Sequence, residues 1–386
     1  MCIRDSPMDV QKAVIDFEYP EKCEIRSYKP TTKGNYVQVR RVMAALEEAE
    51  KPLICIGGGV FAAHAENEIR ELADLMQIPV ITTMMGISVF PDDDQLFCGM
   101  IGTHGVKMAN AAVNECDVLF LVGARVGDRA VKTPLALEKT TKIIHIDIDP
   151  AEIGKNIGAD LPLVGDAKLV LQQMTELAKP MKHDEWIAHI KTLGGERKYV
   201  EPATGTVNPR VFIDRLAKKM PANVTVVADV GQNQIWTCTE YKFRKEGRLL
   251  TSGGMGTMGY SVPAAIGAKM ADNSRATVAI CGDGAFQMSF MELATAVQFG
   301  VDIKVVVMTN NRLGMVRELQ TNGYHDRQTA VFLDGSPDFI KLAEAYGIPA
   351  MRVYDDDTMD KGIEMLAEHK GICLVEVVVD KDMPTL

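Results

Sequence analysis

The sequence predicts an α/β protein built from two doubly wound, parallel-sheet domains. Three observations carry this reading. Short runs rich in Val, Ile and Leu alternate with longer stretches of helical periodicity. The runs are apolar on both faces, as strands are when helices cover a parallel sheet on both sides. The length of 386 residues suits two or three domains at about 150 residues each.

Composition excludes several classes. Hydrophobic residues make up 47% and charged residues 24%, which rules out a disordered or collagen-like chain. The net charge of −10 argues against a nucleic-acid partner, which calls for a basic face. No apolar run approaches the ~18 residues that span a bilayer, so no membrane partner is expected. The eight cysteines, Cys2 and Cys23 among them, include no C-x-x-C pair. Several sit inside strand-like runs, which fits buried free thiols in a reducing, cytoplasmic setting rather than a zinc or disulfide framework.

Residues 1–6 (MCIRDS) match neither a signal peptide nor a helix or strand, and read as a cloning or sequencing scar. Residues 17–36 are polar and contain Pro20, Pro30 and Gly34, so 1–36 reads as scar plus interdomain linker. The first block covers 37–178. A helix over 37–48 leads to a strand over 53–56, which ends in Gly57, Gly58 and Gly59. A helix over 66–76 and strands over 80–83, 118–122 and 143–148 follow. Residues 179–206, with Pro180, Pro202 and charged helix-like segments, read as a second linker. The second block covers 207–386. Asn208 caps a helix with Pro209 in its first position. A strand over 224–228 runs into Asp229, Val230 and Gly231. Helices over 263–270, 289–299 and 339–346 alternate with strands over 277–281, 303–309 and 373–379.

The chemistry gathers at strand ends. Gly282, Asp283 and Gly284 close one strand, and Asn310 and Asn311 follow the next. A right-handed crossover makes the two strands parallel, so Asp283 and Asn310 fall at carboxyl ends, where α/β sheets bind ligands. If the two strands are neighbours, about 4.8 Å apart, they bring a carboxylate, an amide oxygen and a nearby backbone carbonyl together. Such an oxygen-only set suits Mg²⁺ with phosphate oxygens, and Gly282 and Gly284 let a bulky anion approach. The same residues also fit a helix cap and an Asn turn. Gly254, Gly256 and Gly259 have dinucleotide-fingerprint spacing, but Pro263 and the lack of an acid near Ala279 argue against that use.

Further stretches are DVGQNQ at 229–234, TSGGMGTMGYSVPAAIG at 251–267, CGDGAF at 281–286, LGMVR at 313–317 and PDFIKLAEAY at 337–346. The first block adds GTHG at 102–105, GARVGDR at 123–129 and HIDIDP at 145–150. With G-D-G and the Asn pair, these make the chain resemble the thiamine-diphosphate enzymes. Within them it is most similar to the catalytic subunits of the acetohydroxyacid (acetolactate) synthase family. GARVGDR and LGMVR favour that branch over glyoxylate carboligase, pyruvate oxidase or a keto-acid decarboxylase. The non-enzyme alternative is a cofactor-binding remnant.

The resemblance implies roles residue by residue. Asp283, Asn310 and the carbonyl of Arg312 would hold Mg²⁺ against the diphosphate. Gly231, Gln232 and Asn233 would line the diphosphate, and Gly284 and Ala285 belong to the same thiamine-diphosphate set. Met258 would support the bent cofactor, Gly256 would offer its carbonyl to the pyrimidine, and Met315 and Val316 would wall the reaction site. Arg129 would face a 2-keto acid carboxylate. Family members carry FAD without redox turnover. Here that implies Gly57, Gly58, Gly59, Gly102, Thr103, His104, Gly123, Arg125, Arg129, Asp147, Asp149, Gly165 and Asp166.

The implied reaction decarboxylates pyruvate and transfers the two-carbon unit to pyruvate or 2-ketobutyrate, the first common step of branched-chain amino-acid biosynthesis. A homodimer or homotetramer, with an ACT-type regulatory subunit, is the family expectation. The chain also departs from the family pattern. Thr309 takes the first Asn position, Asn233 replaces a frequent His, and Leu319 replaces a frequent Trp. The last change predicts weaker preference for 2-ketobutyrate. The family's first domain supplies a glutamate to the cofactor. Residues 7–11 resemble the end of that domain, so this chain alone is expected to show little activity.

Overall fold

The computed structural model describes residues 7–22, 25–26, 29–195 and 199–386. The scar reading of 1–6, together with Cys2, Cys23 and residues 196–198 of the second linker, lies outside the described residues.

Among the described residues, twelve strands form two six-stranded, all-parallel sheets. The first contains β1 (Pro52–Ile56), β2 (Val80–Thr82), β3 (Phe97–Met100), β4 (Val118–Val122), β5 (Lys142–Asp147) and β6 (Leu161–Val164), in the order β3-β2-β1-β4-β5-β6. This is the doubly wound order, with its reversal between β1 and β4. The second contains β7 (Thr225–Ala228), β8 (Arg248–Thr251), β9 (Thr277–Gly282), β10 (Lys304–Thr309), β11 (Ala350–Val353) and β12 (Cys373–Val378), in the order β11-β12-β10-β9-β7-β8. Its reversal lies between β7 and β9.

Each sheet is covered on both faces. In β1, Ile54 and Ile56 join one core while Leu53 and Cys55 join the opposite one. In β10, Val305 and Val307 face one side, and Val306 and Met308 the other. Two-sided burial is why these strands read as unbroken apolar runs. The six described cysteines are free and buried, and burial pushes the thiols of Cys55, Cys98, Cys116 and Cys238 up to about 12. Among the described residues, no helix is long and apolar enough to cross a membrane.

Two readings change. The stretch 179–206 contains a helix, Asp184–Thr192, packed on the first domain. Trp186 and Ile190 are buried in its core, and the Trp186 indole donates to the Pro52 carbonyl at 3.0 Å. Ile187 packs against the core on the sheet's other face, so three apolar side chains seat a helix-like segment that otherwise reads as linker. The helix expected over 289–299 is split into a 3₁₀ turn, Phe290–Glu292, and a short helix, Leu293–Gln298.

The domains meet through the segment 87–94 and the approach to β8. Ile87 and Met100 enter the second domain's core. Ser88 Oγ accepts the Leu249 N–H at 2.9 Å, supplying a partner to the edge strand β8.

Candidate cofactor site

The second sheet places Asp283 where β9 ends and Asn310 where its neighbour β10 ends. The Asp283 carboxylate is 2% exposed. One of its oxygens accepts the N–H groups of Asn311 at 2.6 Å and Asn310 at 3.1 Å, and the other accepts Gly284 N–H at 2.8 Å. Burial still dominates and pushes the carboxyl up to about 6, against those N–H groups. Asn311 turns the chain in the left-handed region at φ +54°, a conformation Asn tolerates. Asn310 Oδ1 accepts the Arg312 N–H at 3.1 Å, and its amide nitrogen donates to Gln232 Oε1 at 3.2 Å. The Arg312 guanidinium lies over Phe332 and pairs with Asp334 at 2.8 Å, away from Asp283.

Across the reversal point, Gly231 at φ +143° leads from β7 into the helix Gln232–Glu240, whose nine residues are all buried. The Asn233 amide donates to the carbonyls of Asp229 and Ile280, tying the ends of β7 and β9 together. One cleft is lined by Gly231, Gln232, Asn233, Met258, Asp283, Gly284, Ala285, Asn310, Arg312, Met315 and Val316. Gly256 is outside that lining, on the loop that faces the first domain. Met258 reaches over Gly284: its Cε lies 3.5 Å from where a Cβ there would stand.

The reversal point of the first sheet brings the other set together. A Cβ on Gly57 would sit 2.1 Å from the Gly123 carbonyl oxygen, and one on Gly59 would sit 2.7 Å from Gly123 Cα. The N–H groups of Gly57 and Gly59 are spent on the Val122 and Gly123 carbonyls. Those two glycines therefore let two turns touch, and Gly58 lies against Met85. The Asn110 side chain clamps both polar groups of the Gly102 backbone at 2.9 Å, and the Thr103 N–H donates to the Arg129 carbonyl at 2.8 Å. Arg125, Arg129 and Asp149 are exposed and Asp147 is half-buried. Asp166 caps the helix Ala167–Thr175, and Gly165 N–H donates to the Asp147 carbonyl. Burial, then Arg129, hold the His104 imidazole below its ordinary pKa, while Glu318 of the second domain opposes them.

Residues 39–174 match the family model described as "Thiamine pyrophosphate enzyme, central domain", and 229–377 match "Thiamine pyrophosphate enzyme, C-terminal TPP binding domain". The chain is 40% identical over 390 residues to a probable acetolactate synthase large subunit of Methanocaldococcus jannaschii, covering 97% of this chain and 66% of that protein. It is 39% identical over 395 residues to an acetolactate synthase of Arthrospira platensis, covering 98% of this chain and 67% of that protein. For the large subunit of Corynebacterium glutamicum the values are 39% over 390 residues, 98% and 62%.

The chain belongs to the acetolactate synthase family of thiamine pyrophosphate enzymes.

It spans 66% of the length of the Methanocaldococcus jannaschii relative it matches. Within this family member, the structure adds site residues that motif reading passed over. Asp229 is fully buried, and its carboxylate accepts the N–H groups of Val230, Gly259 and Ser261 at 2.7–3.0 Å. It thereby pins the Gly-rich loop carrying Met258 to the end of β7 and opens the helix Ser261–Ala271 two residues before Pro263. Gln234 donates to Thr251 at 2.6 Å, which donates in turn to the Ala228 carbonyl. A buried Asp at a strand end was the available signal for Asp229. Its reach of some thirty residues was not readable from spacing.

Proposed function

We propose that the second domain binds thiamine diphosphate through Mg²⁺ and that the chain serves acetolactate synthesis from 2-keto acids. One observation carries the reading. Asp283 is a buried carboxylate held only by N–H groups, with no Lys or Arg side chain among its partners, beside an amide oxygen at the adjacent strand end. A buried anion of that kind fits a small hard cation, and one carboxylate with amide and carbonyl oxygens fits Mg²⁺ that keeps phosphate and water ligands. Asp283, Asn310 and the Arg312 carbonyl would hold the metal. The N-terminus of the helix Gln232–Glu240, opened by Gly231, would meet the diphosphate. When bound, thiamine diphosphate supplies the electron sink for loss of carbon dioxide from a 2-keto acid. Met258, Met315 and Val316 would wall the reacting face, and Gly256 would serve the pyrimidine from the loop. Arg129 offers an exposed guanidinium to a carboxylate.

FAD belongs, on this reading, at the β1/β4 reversal point. There the side chains of Arg125, Arg129, Asp147 and Asp149 are better placed to hold it than the spent N–H groups of Gly57, Gly59 and Thr103. The relatives' names as large subunits support assembly with a smaller subunit, and a homodimer or homotetramer is the expected core. Leu319, 62% exposed on the helix carrying Met315, supports pyruvate over 2-ketobutyrate as second substrate.

The matched relatives extend beyond the shared stretch, so binding is the decisive test. Trp236 lines the cleft and reports on it. Thiamine diphosphate should quench its fluorescence only when Mg²⁺ is present. Quenching that ignores Mg²⁺, or none at all, would remove the proposal.

A further inference from the structure

We propose that Glu318 is a positioning residue that fixes the amide of the metal ligand Asn310 with its oxygen toward the cation. The inference rests on the Mg²⁺–thiamine diphosphate reading of the cleft. An Asn side chain presents oxygen or NH₂ depending on its neighbours, and an NH₂ facing Mg²⁺ would repel it. The Arg312 N–H on Asn310 Oδ1 holds the oxygen end of the amide, and a relay of hydrogen bonds holds the nitrogen end. Asn310 donates to Gln232 Oε1 at 3.2 Å, so the Gln232 amide must turn its nitrogen the other way. Of that nitrogen's two protons, one goes to the Met383 carbonyl at 2.9 Å and the other is shared between Thr385 Oγ at 3.2 Å and Glu318 at 3.4 Å. A main-chain carbonyl and a carboxylate only accept, so the relay has one polarity. The Thr385 hydroxyl spends its single proton on Glu318 Oε2, which leaves its lone pairs for Gln232.

Glu318 also holds the segment that completes the relay. Its carboxylate accepts the Thr385 N–H at 3.2 Å, while its chain neighbour Arg317 pairs with Asp382 at 3.2 Å. The Trp236 indole donates to the Pro384 carbonyl at 3.2 Å, and Met383 and Thr385 are buried. Gly314 makes room: a Cβ there would lie 1.8 Å from Gln232 Oε1. One carboxylate thus fastens the segment Asp382–Thr385 across the helix Gly314–Gly323 and onto the amide that orients Asn310.

The test is Mg²⁺ affinity of the full 386-residue chain. It is read by Trp236 fluorescence at saturating thiamine diphosphate, beside thermal melts without cofactor. Loss of an outer partner of a metal ligand weakens binding about 10–100-fold. Glu318 stands one residue further out, behind Gln232, so Glu318→Leu should cost about tenfold, the low end of that range, and Glu318→Gln, which keeps an acceptor for Thr385, should recover most of the affinity at an unchanged melting temperature. Equal Mg²⁺ affinity in wild type and Glu318→Leu would overturn the proposal. So would a loss in Glu318→Leu that only tracks a lowered melting temperature, or one that Glu318→Gln does not repair. Failure of the wild type to bind Mg²⁺–thiamine diphosphate would instead overturn the reading of the cleft, and this inference with it.

Discussion

Asp283 carries the negative charge of the cleft, and its surroundings set what replacing it does. Three N–H groups already converge on the carboxylate, so an Asn there must turn its NH₂ toward a donor or toward the cation. Asp283→Asn should weaken Mg²⁺-dependent binding of thiamine diphosphate more than 100-fold, beyond the about 10–100-fold cost of losing an outer partner. Calorimetric titration with Mg²⁺ checks this, and binding within tenfold of wild type would contradict it. At this scale the sequence was informative where a residue's partner lies close along the chain or on a neighbouring strand. Asp283 and Asn310 were legible because one β-α-β unit dictates their meeting. Asp229 was not, because its carboxylate spans from β7 to Gly259 and Ser261. The relay from Glu318 to Asn310 was equally hidden, since Thr385 lies 67 residues from Glu318.

Among elements, the division between strands read and strands missed follows burial. All eight interior strands stand out in the sequence as two-sided apolar runs. The four not read, β3, β6, β8 and β11, are the four sheet edges. Each is partly exposed and carries polar or small residues, Pro162 among them, on its open side. The helix Gln232–Glu240 escaped for the opposite reason: its Gln, Asn, Thr and Glu side chains are buried all round and show no amphipathic period. The turns that follow the interior strands give a sharper prediction. Gly57 has no positive φ, so what opposes Gly57→Ala is the collision of a new Cβ with the Gly123 carbonyl oxygen at 2.1 Å and with Ala124 Cα at 2.5 Å. Moving two backbones apart at the β1/β4 reversal should destabilise the first domain by about 1–3 kcal/mol, the ordinary cost of overpacking. If the proposed flavin site lies at this reversal point, the variant should also lower flavin retention. A melt and the flavin absorbance of the purified protein check both, and a variant as stable as wild type would mean that the turn relaxes freely.

Across the whole molecule, the two domains are latched by Asp92. Its N–H donates to the Phe243 carbonyl at 2.8 Å, and its carboxylate accepts the Phe243 N–H at 2.8 Å. Lys242 Nζ stands 3.6 Å away, and Asp93 adds repulsion from the neighbouring position. Burial outweighs Lys242 and the Phe243 N–H, and pushes the carboxyl up to about 6 from 3.8. A carboxyl raised on folding contributes stability that is fully present below its unfolded pKa and is lost as the pH rises through its folded value. The latch therefore favours the folded, docked state near pH 4 and is weakened through pH 6, where the buried carboxylate ionises. Asp92→Asn keeps an acceptor for Phe243 and stays neutral, at the cost of the attraction to Lys242. Because burial is the larger effect, the variant should melt a few degrees above wild type at pH 8, at about 2–4 °C per kcal/mol. The difference should shrink toward zero at pH 4, where the wild-type carboxyl is itself protonated. Melting curves of both proteins from pH 4 to pH 8 decide it. A difference that does not change with pH would assign the latch to the backbone pair alone, and a lower melting temperature at pH 8 would make the Lys242 attraction the stronger partner.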